Sequence, residues 1–198
     1  MAILNFPDIK PTAEVWELVS PTQTFSSPLD GRTQTRKLLA DRWRCSLTFA
    51  NLNKAEVLKL RAFLWALRGR SGRFYYSPHD TSDALSNPSG SPVVDGATSS
   101  KSIASRGWPT NEICRAAGEF VSIGDQLFGV EQDVTSDGLG DASIELAPDP
   151  RITLADGQAI EFAAPRGVFQ LSDDSAAIQL AQTHVYAVNF NFVEASDI

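Results

Sequence analysis

The chain has 198 residues, a formal net charge of −7, 42% hydrophobic and 21% charged residues. That length admits one large domain or two small ones, and the apolar share suffices for a true core. Two cysteines, Cys45 and Cys114, exclude a disulfide framework; no secretory signal or membrane-length apolar run stands out, so the expectation is a soluble protein made in a reducing cytoplasm.

The charge is unevenly placed. Residues 79–165 hold four Lys/Arg against fourteen Asp/Glu, a net of −10, whereas residues 1–78 hold twelve against six, a net of +6. A contrast this large predicts two surfaces with different neighbours.

In chain order, AEVWELV at 13–19 reads as a first strand with Trp16 and Leu18 on one face. Residues 21–37, rich in Thr, Ser, Gly and Arg around the Asp30-Gly31 turn signal, read as an extended arm or a wide loop. Residues 41–76 read as one strand–helix–strand unit. Trp43, Cys45, Leu47 and Phe49 alternate with Arg42, Arg44, Ser46 and Thr48, the period of a strand with one buried face. That places Cys45 in the core as a free thiol. Asn53 and Glu56 form an Asn-x-x-Glu start signal. The helix is expected to reach about Leu67 and to stop at a left-handed Gly69.

At about 100° per residue, Val57, Leu60, Leu64 and Leu67 form a core stripe. Leu58 and Trp65 lie on another side, beside Ala55, Ala62 and Ala66. Lys54, Arg61 and Arg68 recur every seven residues between the two. A surface helix needs one apolar face, so the second either meets a partner or packs beneath a loop of the same chain.

Residues 77–100 read as a Ser/Pro/Asp/Gly linker. Short strands follow at 118–123, 127–131, 142–146 and 159–162, with turns at Gly124-Asp125, Asp137-Gly138 and Asp156-Gly157. That spacing predicts a small β barrel or sandwich. Residues 168–171 and the terminal HVYAVNFNFVEA, with Tyr186, Val188, Phe190 and Phe192 on one face, return as strands to the sheet of residues 13–76. The expected architecture is mainly β: a discontinuous β-sandwich of 1–78 and 166–198 with one packed helix, and an inserted acidic barrel of 79–165.

The chemistry-bearing patterns are sparse. There is no phosphate-binding glycine loop and no Gly-x-Ser-x-Gly elbow, and Ser89-Gly90-Ser91 reads as linker. His79 and His184 have no Cys or His at metal spacing. His79 beside Asp80 reads as a solvated loop residue. A calcium loop started at Asp133 would carry Asp137 and Gly138 correctly but Ile144 where the bidentate Glu belongs, with Glu145 one late, so turn chemistry fits better. Several carboxylates suit glycoside hydrolysis, but no pair stands out. The basic 32–73 stretch carries its Arg42 and Arg44 on the wet face of a strand, and a −10 companion argues against nucleic-acid binding. No enzyme activity, metal or cofactor is expected.

Four segments carry a resemblance. They are Trp43-Arg44 to Phe49 feeding a helix that ends Leu64-Trp65-Ala66-Leu67-Arg68-Gly69-Arg70-Ser71-Gly72-Arg73-Phe74; Ser91 to Ala97 running on to Arg106-Gly107-Trp108-Pro109; Ala117 to Leu127; and Pro165 to Leu171. In this order they resemble the distal tail proteins of long-tailed, non-contractile bacteriophages and the related gene transfer agents. The resemblance implies a β-sandwich hub with a helix and an inserted barrel of the oligonucleotide/oligosaccharide-binding type. It also implies a ring of six at the tail tip, joining the tail tube to the baseplate hub and fibre proteins, with DNA passing through the lumen. On that basis Lys54, Leu58, Arg61, Trp65 and Arg68 are expected at a contact with another subunit or neighbour. Many members carry a large carbohydrate-binding carboxy-terminal domain; here the chain ends with its last strand, which argues against sugar binding. The alternative is receptor or glycan binding by the insert through Trp108, Phe120, Phe128 and Phe162. A cell-wall hydrolase would need an acid–nucleophile pair that the sequence does not place.

Overall fold

The computed structural model describes residues 2–38, 40–79, 81, 88–174, 178–179 and 186–195. His184, Asp80 and most of the 80–87 stretch lie outside the described residues. The fold is mainly β, with one α-helix.

The largest sheet has seven strands. Its order is β1 (Leu4–Asn5), β6 (Phe74–Tyr76), β15 (Gly167–Leu171), β17 (Tyr186–Glu194), β5 (Arg42–Leu52) and β2 (Ala13–Val19), with β16 (Ile178–Gln179) paired to β17 off that path. In β5 the alternation sets Trp43, Cys45, Leu47 and Phe49 inward. The last strand pairs along it, Phe190 opposite Leu47 and Phe192 opposite Cys45. The helix α1 (Lys54–Leu67) connects β5 to β6, yet these strands are not neighbours, because β15 and β17 stand between them. Val57, Leu60, Phe63, Leu64 and Leu67 of α1 join Phe6, Phe74, Phe190 and Phe192 in one core.

A second sheet of six strands runs β14 (Ile160–Glu161), β10 (Phe120–Ile123), β11 (Gln126–Val130), β13 (Asp141–Ala147), β8 (Ser102–Arg106) and β7 (Val93–Val94). Its two edges nearly meet. Val93 bridges Ala159, Val94 N donates to Gln158 O at 2.9 Å, and Ile160 N donates to Pro92 O at 2.9 Å. The result is a nearly closed barrel around Val121, Ile123, Phe128, Val130, Ile144 and Leu146. Two smaller ladders complete the fold: β9 (Ile113–Arg115) with β12 (Val134–Thr135), and β3 (Thr22–Ser26) with β4 (Thr33–Lys37).

Three expectations change. The arm or loop at 21–37 is a two-stranded hairpin with every strand residue exposed. The described part of the 77–100 linker contains β7 and a bridge from Thr98 to Leu154, so its end belongs to the barrel. The left-handed stop after α1 begins at Arg68 (φ 53°), one residue before Gly69.

The β10–β11 hairpin serves both cores. Phe120 and Leu127 join the first, Val121 and Phe128 the second. Trp43 Nε1 donates to Leu127 O at 3.1 Å, and a Cβ added to Gly129 would lie 3.2 Å from the Trp43 ring. Below that ring Glu194, fully buried, pairs with Arg151 of the barrel and accepts from Trp43 N at 3.2 Å. Arg151 Nη1 also donates to Ala195 O at 2.6 Å.

Candidate interaction surface on the helix

The helix owes its start to a complete capping box. Glu56 N donates to Asn53 Oδ1 at 3.0 Å, and Asn53 N donates to Glu56 Oε2 at 2.9 Å. With the start set there, the 3.6-residue period turns Val57, Leu60, Phe63, Leu64 and Leu67 onto the sheet. Leu58 and Trp65, seven residues apart, point directly away from it.

Both are in solvent: Leu58 is 49% and Trp65 72% exposed. Among the described residues no loop covers them. Ala55, Ala62 and Ala66 are exposed on one flank of this line, and Lys54 and Arg68 on the other. Arg61 is half-buried, with its guanidinium carbon 6.0 Å from the centre of the Trp65 ring, a cation–π distance. All five residues expected at a contact thus share one outward surface, Arg68 from the left-handed position that ends the helix. Lys59, also exposed, adds a cation not singled out in the sequence.

Residues 54–70 contain five Lys/Arg and a single carboxylate, Glu56, which is engaged in the cap. Arg70 is tied to Asp174 at 3.1 Å. Among the described residues, Lys54, Lys59, Arg61 and Arg68 have no ion pair. The surface is an apolar ridge with a basic border. Covering a Trp of this exposure is worth about 2 kcal/mol.

Other exposed apolar side chains escaped the sequence reading. Phe25 (61%) and Leu29 (96%) sit on the β3–β4 hairpin, Ile113 (60%) on the β9–β12 ladder and Leu139 (84%) in the turn before β13. None of them belongs to a hydrophobic period in the sequence, so none left a signal there.

The remaining candidates resolve into structural roles. Among the described residues no group of His, Cys, Asp and Glu could hold a metal ion. Asp133 accepts from Ala117 N at 2.8 Å, and Asp137 accepts from Leu139 N at 2.8 Å and Asp141 N at 3.0 Å. Those turn bonds hold the Asp137 carboxyl below the usual carboxylate range. His79 is exposed, and its backbone N–H donates to Glu14 at 3.3 Å. Cys45 and Cys114 are free and fully buried, and burial raises the Cys45 thiol pKa far above its ordinary value. Trp108, Phe120 and Phe128 are buried, and Phe162 is half-buried with its ring 5.8 Å from that of Trp108. Among the described residues no helix is long and apolar enough to cross a membrane. No protein-family model matches the chain, and no curated protein sequence matches it.

Proposed function

We propose that the chain is a structural protein of a phage or gene-transfer-agent tail tip. It would assemble with copies of itself into a ring between the tail tube and the baseplate hub, without catalytic activity. The reading starts from the resemblance in four ordered segments. The observation that carries it further is the outward line of Leu58 and Trp65 on a helix whose inner face is already full. An exposed Trp beside Leu, bordered by Arg and Lys, has the composition of an interface centre rather than of a solvated helix face.

A ring requires a heterologous contact, one surface meeting a different surface of the next copy through a rotation that closes. The net charge of −7 suits a lumen through which DNA slides, because phosphates find no overall attraction. DNA is then cargo and not ligand.

Native mass spectrometry of the purified chain tests this reading. The expected result is a single closed oligomer for the wild type and a folded monomer for Trp65→Ala, with the thermal midpoint of the monomer nearly unchanged. Equal assembly by both proteins, or unfolding of the variant, would place Trp65 in a different role.

A further inference from the structure

We infer that the helix ridge docks on one corner of the barrel in a second copy of this chain, the corner formed by Glu112, Ile113, Leu139 and Asp141. The inference rests on the ring reading and names the surface that reading leaves open.

The corner is built by main-chain bonds around Ser136. Asn111 N donates to Asp137 O and Ser136 N to Glu112 O, each at 3.0 Å, and Asp137 N donates to Asp141 O at 2.9 Å. Glu112 N closes the set on Ser136 Oγ at 3.1 Å. Two exposed apolar side chains, Ile113 and Leu139, are thereby held near three exposed carboxylates, those of Glu112, Asp137 and Asp141. The side chains of Glu112 and Asp141 have no ion pair among the described residues. Across residues 107–149 there are nine Asp/Glu and one cation, Arg115, which is itself buried.

This corner is the chemical counterpart of the ridge. One surface is Leu and Trp edged by Lys54, Arg61 and Arg68; the other is Ile and Leu edged by carboxylates. Complementary borders steer encounter and set register, while the apolar centres supply the contact. Both surfaces are exposed in the same chain, so neither covers the other within a copy. A second copy is the occupant that carries the required opposite charge at the required kind of site. Two different surfaces on one molecule make the contact heterologous, the type that closes into a ring.

Charge reversal tests it. One variant carries Lys54→Glu and Arg61→Glu; another carries Glu112→Lys and Asp141→Lys. Both sets leave the side chains of the capping box, the Asp137 carboxylate and the core unchanged, and circular dichroism checks the fold. Each variant alone places like charges in contact and should lose assembly, with association about a hundredfold weaker. An equimolar mixture restores opposite charges at every junction of an alternating ring, so sedimentation velocity should show the large species returning. If the corner variant assembles like the wild type while Trp65→Ala does not, the ridge meets some other surface: this inference is overturned and the ring reading stands. A wild-type chain that stays monomeric up to its solubility limit overturns both.

Discussion

Trp43 holds three parts of the molecule together. Its ring packs 5.3 Å from Phe120 and 6.0 Å from Trp16, its indole N–H donates to Leu127 O, and its backbone N–H donates to Glu194. Glu194 is the residue with most at stake, a fully buried carboxylate beside Arg151. Burial raises its pKa above the ordinary glutamate value, with the pull of Arg151 and the bond from Trp43 only partly offsetting this. A raised folded-state pKa means that the native state holds the proton more tightly than the unfolded chain. The corresponding stability is present below the unfolded value and is lost as pH rises through the folded value. Wild-type stability measured against Glu194→Gln by denaturant titration should therefore fall as pH rises above the ordinary glutamate range. A difference that grows with pH would show that the attraction of Arg151 outweighs burial. Nothing in the sequence pairs Arg151 with Glu194, forty-three positions apart, because the meeting is made by a strand register and a barrel wall.

At the scale of elements, the helix was the most legible part of the chain. Asn53, Glu56 and the spacing of Val57, Leu60, Leu64 and Leu67 specify its start and its inner face without tertiary information. Replacing Asn53 by Ala should cost about 1 kcal/mol in a denaturant midpoint experiment. No change would mean that packing of the inner face alone sets the helix start. The outward ridge was equally legible, since one helical period places Leu58 and Trp65 opposite the core stripe. Its exposure was not, because sequence cannot say whether a loop covers a face. The strands missed were those with weak alternation. In β8 only Ile103 and Ser105 point inward, and β9 and β12 form a short ladder with a register shift. The hairpin at 22–37 was obscured for a different reason: a fully exposed ladder carries no hydrophobic period at all.

At the scale of the whole molecule, the contrast between a basic start and an acidic middle maps onto two sheets with separate cores and a shared hairpin. Strands from both ends of the chain form the seven-stranded sheet, and the strands of 93–161 curl into the barrel. Neither core explains the ridge on α1 or the acidic corner of the barrel. Both are surfaces that the isolated chain leaves in water, and their charges are opposite in sign. On the proposed reading, that opposition is the physical basis for contact between copies.

The most direct test is a cryo-EM reconstruction of the purified protein. The expected structure is a closed ring in which Trp65, exposed in the single chain, is covered by a neighbouring copy. A monomer, or an assembly in which Trp65 still faces water, would contradict it.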